Sequence, residues 1–117
     1  MTEALKVTVE REEDLAVIYT EGYINNQGGE EIARVSFDLI GDGQKILLLN
    51  LQGTKIVNSI GISILIEIIE KMLEIDGRLA FCNLTPTIEK TFHIMGLTQY
   101  ASIFPDEEAA RQEMRPA

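Results

Sequence analysis

Apolar and polar positions recur along the chain in two distinct periods. Residues 5–10 (LKVTVE) and 14–22 (DLAVIYTEG) alternate apolar with polar side chains, the pattern of strands with one buried face; the charged turn REED between them predicts a hairpin. From 30 to 40 (EEIARVSFDLI) the apolar residues Ile32, Val35, Phe37, Leu39 and Ile40 fall at broadly helical intervals, and GDG at 41–43 supplies a stop. Val, Ile and Phe are only average helix formers, so periodicity rather than propensity carries that element.

The run KILLLNL (45–51) is continuously apolar, as in a strand covered on both faces, and is expected to be the central strand. A helix is predicted from Ser59 to Ile75, closed by Asp76-Gly77, followed by a second buried strand at 78–84 (RLAFCNL). Thr85 and Pro86 form an N-cap and first-turn pair for a helix over 86–95, ended by Gly96. A short strand at 101–104 and a helix at 105–114, with acids in its first turn, complete the pattern. The reading is one α/β domain over 1–117, a mixed sheet with an N-terminal hairpin and about four helices in the order β-β-α-β-α-β-α-β-α.

The helix beginning at Ser59 carries more apolar surface than one packed face requires. At about 100° per residue, Ser63, Glu67, Glu70, Lys71 and Glu74 form a polar sector, and Ile64, Leu65, Ile68, Met72 and Ile75 lie opposite, able to cover a sheet. Ile62, Ile66 and Leu73 remain on one flank, with Ser59 beside them. Those residues either pack under neighbouring segments or border a docking surface.

Composition narrows the chemistry. Nineteen acidic and ten basic side chains give a formal charge of −9, which argues against a nucleic-acid partner and for a neutral or basic protein surface. The longest uncharged run, 56–66, is too short to span a bilayer and the first residues lack the features of a signal peptide, so no membrane association and a cytoplasmic location are expected. One cysteine, Cys82, and one histidine, His93, cannot build a disulfide framework or a Cys/His metal cluster, so neither metal nor other cofactor is expected. Cys82 lies in an apolar strand with no adjacent cation and reads as a buried structural thiol. His93 reads as a partly exposed helix residue, and GDG and QGGEE read as turns because neither has phosphate-loop spacing.

Ser59 can serve as a helix N-cap or as a modifiable hydroxyl. A phosphate there would meet free N–H groups and the positive end of the helix dipole, adding about −1.5 to −2 charges beside an apolar flank without unfolding the domain. The span LLLNLQGTKIVNSIGISILIEIIEKM resembles the central segment of STAS domains, the bacterial anti-sigma factor antagonists, where a buried strand runs into Asp-Ser-Ser-Gly at the head of a helix. Asn58-Ser59-Ile60-Gly61 fills that motif without a gap. The likeness continues through GRLAFCNLTPTIEKTFHIMGL and, upstream, through TEGYINNQGGEEI, which resembles the family's Gly-x-(Leu/Ile)-Asp segment; nearly the whole chain is covered.

The resemblance implies that Ser59 is the phosphoacceptor and that this non-enzymatic domain binds an anti-sigma factor of the serine-kinase type, freeing a sigma factor until Ser59 is phosphorylated. It also implies a serine phosphatase as a further partner. The docking surface implied is Ser59, Ile62, Ser63 and Ile66, with Asn58 and with Asn25 and Asn26 from the neighbouring loop. Asn58 and Asn25 stand where the family has acids that help present the serine to the kinase, and Ile60 replaces its second serine; the two amides keep polar geometry and remove two charges. The competing reading keeps the fold and makes Ser59 a plain cap in a constitutive scaffold or transport accessory module. A hydrolase using Ser59 ranks below both, since the one histidine would have to meet Ser59 or Ser102 by coincidence, and so does an acidic phosphoacceptor fold of the response-regulator kind, since the chain begins with a hairpin and has Asn50 at the central strand's tail.

Overall fold

The computed structural model describes residues 4–12 and 14–114. Five strands form one mixed sheet in the order β1-β2-β3-β4-β5: β1 (Lys6–Arg11), β2 (Ala16–Glu21), β3 (Ile46–Gly53), β4 (Arg78–Cys82) and β5 (Ser102–Phe104). β1 runs antiparallel to β2, and β2 through β5 are parallel. The helices α1 (Asn26–Gly41), α2 (Ser59–Glu74), α3 (Pro86–Ile94) and α4 (Glu107–Met114) follow β2, β3, β4 and β5 in turn, with a 3-10 turn at Leu97–Gln99 that the periodicity did not reveal. The element order is the one expected, β3 is central, and residue 13 of the REED turn lies outside the described residues.

Two apolar layers cover the sheet. On one face Ala16, Ile18, Leu47, Leu49, Leu51, Leu79 and Phe81 pack with side chains of α1, α2 and α3. On the other, Leu15, Val17, Leu48, Ala80 and Cys82 cluster with Ala110 and Met114 of α4, with Tyr19, Ile46 and Phe104 packed against them. The two-sided cover explains why β2, expected to bury one face, is buried at Ala16, Val17 and Ile18 alike. β1 departs the other way: at the edge of the sheet it lies largely beyond both layers, and apart from half-buried Val7 its residues are exposed.

Helix α1 begins four residues before the expected Glu30. Asn25 caps it, its side chain accepting the Gly28 N–H at 2.9 Å. Gly28 and Gly29 are weak helix formers, but a Cβ on Gly28 would lie 2.6 Å from the Tyr23 carbonyl and one on Gly29 would lie 2.8 Å from Ile64 of α2. QGGEE is therefore helix rather than turn, its glycines retained for close approach. The last helix starts at Glu107 rather than Pro105, capped by Asp106, whose side chain accepts the Ala109 N–H at 2.8 Å.

α4 buries little apolar surface, and a polar cluster anchors it. Arg111 bonds Glu107 through Nε at 2.8 Å and Glu12 through Nη1, and lies 3.7 Å from Glu10. Tyr19 donates to Glu10 at 3.1 Å, and Asn50 donates to Glu107 at 3.1 Å. Burial pushes the Glu107 carboxyl up, but the neighbouring polar groups of Tyr19, Arg111 and Asn50 outweigh it and hold the group below its ordinary 4.5. Burial beneath α4 and the carboxylates of Glu107 and Asp106 push the Cys82 thiol up to about 12. As expected, the thiol is buried, and it is protonated at neutral pH.

Replacing Arg111 with Met leaves these carboxylates without their shared cation and is expected to cost about 1–3 kcal/mol in urea unfolding. Because Glu107 has a lowered pKa in the folded chain, its contribution is present above 4.5 and is lost as the pH falls through the folded value. The Arg111→Met protein should accordingly lose less stability on acidification than the parent, and its Cys82 should react faster with a thiol reagent.

Candidate functional site

Two helix starts lie side by side where β2 and β3 end. Gly53, last in β3, accepts the Gly22 N–H at 3.0 Å, and the buried Thr20 and Thr54 hydroxyls lie 2.6 Å apart, tying the two strand ends together. Beyond them Ile24 and Val57 form an isolated parallel bridge. The Ile24 N–H donates to Ile56 O at 3.0 Å, and the Asn58 N–H donates to Ile24 O at 3.1 Å. Each bridge residue is followed at once by an asparagine that caps a helix, Asn25 for α1 and Asn58 for α2.

Asn58 accepts the Gly61 N–H at 2.8 Å with its side chain and the Ile62 N–H at 3.0 Å with its backbone carbonyl. The cap is thus Asn58, not Ser59. Ser59 is the first helical residue, exposed, its hydroxyl not engaged in capping; its carbonyl accepts the Ser63 hydroxyl at 3.0 Å. The amides of Ser59 and Ile60 precede the first intrahelical bond. Neither α1 nor α2 has an acidic residue in its first turn, so no carboxylate within those turns offsets the dipoles.

Gly61 makes the close approach possible. A Cβ there would drive into the Ile24 carbonyl oxygen and lie 2.9 Å from the Ile24 side chain. The spacing from bridge residue to glycine is the same in both segments, Ile24-Asn25-Asn26-Gln27-Gly28 and Val57-Asn58-Ser59-Ile60-Gly61. Each asparagine bonds the amide of the glycine three residues on, and each glycine leaves room for a carbonyl, Tyr23 or Ile24.

The structure brings Asn25, Asn26, Asn58 and Ser59 to one end of the sheet, with Ser63 one turn further along α2. Asn26 and Ser63 are exposed; Asn25 and Asn58 are half-buried by their capping role. Ile62 is different: it is 3% exposed and part of the core, so its expected place on a docking face is corrected. The buried arc of α2 comprises Gly61, Ile62, Leu65, Ile68, Ile69 and Met72, centred roughly 50° from the expected stripe at about 100° per residue. α1 accounts for the rotation, since Ile64 abuts Gly29 at the edge of the arc while Ile62 and Ile69 turn inward. Ile66 is half-buried and, with Ile69, Leu73, Met95, Leu97 and Tyr100, lines a cavity of about 540 Å³ beside the 3-10 turn.

Sequence reasoning missed Ile56 and Ile60, 58% and 53% exposed on either side of Asn58-Ser59. Ile60 carried a usable signal: at helical spacing it falls beside Glu67 in the polar sector, where an isoleucine has no structural reason to be. Ile56 sits in the loop before the helix, where periodicity says nothing. His93 is exposed, 3.1 Å from the Thr98 hydroxyl. Among the described residues no group of three or more His, Cys, Asp or Glu side chains is placed to hold a metal, and no helix is long and apolar enough to cross a membrane.

A five-stranded mixed sheet with three helices on one face, a fourth on the other and a capped serine segment at the head of α2 is the architecture of STAS domains. A model of the STAS domain family matches residues 6–110, and the chain belongs to that family. It is 22% identical over 116 residues to BtrV of Bordetella bronchiseptica, covering 97% of each chain; that protein's name assigns it provisionally to the anti-sigma factor antagonists. Among solved structures, an anti-sigma factor antagonist from Mycobacterium paratuberculosis superposes with a TM-score of 0.85 at 19% identity, over 99% of this chain and 100% of that one. The Bacillus cell fate determinant SpoIIAA in its phosphorylated form superposes with a TM-score of 0.74 at 21% identity, over 94% and 100%.

Gly61→Ala should destabilise the chain by about 1–3 kcal/mol, because the added methyl meets backbone rather than a movable side chain. Asn58→Ala should cost about 1 kcal/mol and Asn58→Asp only a few tenths, since aspartate caps as well as asparagine. Urea unfolding of the three variants checks both the close approach and the cap.

Proposed function

We propose that this chain is an anti-sigma factor antagonist that docks, through the surface around the start of α2, onto an anti-sigma factor with serine-kinase activity, and that phosphorylation of Ser59 ends the docking. The observation that carries the reading is the division of roles at the helix start. Asn58 does the capping, which leaves the Ser59 hydroxyl exposed between two uncovered isoleucines, Ile56 and Ile60. A hydroxyl needed for structure would be a poor switch, and a hydroxyl remote from apolar surface would have no docking to oppose. The names of the relatives support the same reading: BtrV, the Mycobacterium antagonist, and SpoIIAA, whose unphosphorylated form is likewise named an anti-sigma factor antagonist.

The asparagine caps fit this proposal electrostatically. A phosphate on Ser59 would meet the outward amides of α2 and no carboxylate at either cap, so it adds about −1.5 to −2 charges without a like-charge neighbour in the first turn. On a chain of formal charge −9 the added charge falls beside Ile56 and Ile60, where an apolar partner surface would have to desolvate it. The docking surface proposed is Ile56, Ser59, Ile60 and Ser63 with Asn26 and the capping residues Asn25 and Asn58; Ile66 borders it along α2. Removal of the phosphate by a serine phosphatase would restore docking. The chemistry of transfer belongs to the partner, and the location of the exchange is the cytoplasm.

Incubation with a kinase-type anti-sigma factor and ATP, followed by intact-mass measurement, should show one added phosphate that Ser59→Ala abolishes. Tight binding with no modification would instead favour a constitutive scaffold. In binding measurements Ser59→Asp and Ile60→Glu should each weaken the complex at least tenfold, with melting temperatures close to the parent's. Unaltered affinity in Ile60→Glu would remove this face from the interface.

A further inference from the structure

Among the described residues β1 has a neighbouring strand on one side only. The sheet has two outer strands, β1 and β5, and β5 is three residues long whereas β1 is six. In an antiparallel pair alternate residues direct their N–H and C=O groups away from the partner strand, so half of the backbone groups of β1 point off the sheet. An open edge of that length is a template for another strand unless its side chains oppose pairing. Charged residues on an edge usually do oppose it. In β1 the order Lys6-Val7-Thr8-Val9-Glu10 is self-complementary when read antiparallel.

We propose that a second copy of this chain pairs with β1 in antiparallel fashion about a two-fold axis through Thr8, joining the two sheets edge to edge. In this register Lys6 faces Glu10 of the second copy, Val7 faces Val9 and Thr8 faces Thr8, each pair formed twice by the symmetry except the one on the axis. Lys6, Thr8 and Glu10 share one face of the sheet, with Thr8 opposite Tyr19 in the register with β2, and Val7 and Val9 share the other. Both charge pairs join opposite signs, and Val9, 39% exposed in the single chain, gains an apolar cover.

The neighbouring registers lack this match. An axis through Val7 sets Lys6 against Thr8; an axis through Val9 sets Lys6 against Glu12, which lies beyond the strand, but also Val7 against Arg11 and Thr8 against Glu10. Glu10 can accept the new partner: it bonds Tyr19 through one oxygen and lies 3.7 Å from Arg111 through the other, and its side chain is still 60% exposed. The formal charge of −9 on each copy opposes approach, so the pairing relies on local complementarity and is favoured at ionic strengths near 0.15 M, where repulsion beyond about 8 Å is screened. Nothing in this pairing uses Ser59, and it stands apart from the docking proposed there.

Sedimentation of the full chain over a range of concentrations should reveal a monomer–dimer equilibrium, unchanged in Ser59→Ala and weakened about tenfold or more in Lys6→Glu, which turns two attractive pairs repulsive. Cysteine substitution reads the register directly. Thr8→Cys places two thiols across the axis, with Cβ atoms about 4.5–5.5 Å apart, and should cross-link to a dimer under copper-phenanthroline oxidation. Lys6→Cys alone should not, its two copies lying about 14 Å apart along the strands at about 3.4 Å per residue, whereas Lys6→Cys mixed with Glu10→Cys should. A chain that is monomeric at every concentration overturns the proposal, as does a dimer in which Thr8→Cys fails to cross-link or Lys6→Cys cross-links equally well. Protection of the β1 amides only on addition of the anti-sigma factor would assign the edge to that protein and likewise overturn it.

Discussion

The backbone of Ile24 is the constraint on which the functional end of this molecule depends. Its carbonyl accepts the Asn58 N–H, its N–H donates to Ile56 O, and Gly61 rests against the same carbonyl. One residue thereby sets the distance between two loops and the starting points of two helices. The sheet needs nothing of the kind here, since β2 and β3 have already ended. The bridge extends their pairing just far enough to hold two helix N-termini together.

That arrangement separates what is fixed from what is free. Val57, Asn58 and Gly61 are committed to bridge, cap and packing, whereas Ser59 and Ile60 between them face outward. The same holds upstream, where Asn25 and Gly28 are committed and Asn26 and Gln27 are exposed. The surface proposed for docking is thus made from the uncommitted residues of two similarly built turns, supported by committed ones. A partner would meet side chains whose backbone is held on both sides, which limits the ordering cost of binding.

Much of the fold was legible because β3 and β4 are short apolar runs and α1, α2 and α3 are each followed by a left-handed residue, Gly43, Asp76 and Gly96. The start of α1 was not, since Gly28 and Gly29 read as a turn until their neighbours Tyr23 and Ile64 are known, and those contacts are tertiary. The face of α2 was half legible. Periodicity found a wide apolar arc, but its true centre depends on α1, so Ile62 was left on the flank of the arc and Ile69 went unnoticed, though both are core. At the site, the Asn58-Ser59 pair stood out in the sequence; that the asparagine rather than the serine caps the helix needed coordinates, because both residues are good caps.

The tether of α4 has a consequence for how the chain reaches this state. Arg111 joins Glu12, 99 positions earlier, and among the described residues α4 covers the second face of the sheet through Ala110 and Met114. During synthesis the first hairpin and the α1–α3 layer can assemble while Val17, Leu48, Ala80 and Cys82 still face water. That stripe stays adhesive until residues 107–114 have emerged and found a carboxylate at the far end of the chain. The last helix is in this sense a closing piece, and nascent chains stalled before it would present the surface that chaperones recognise.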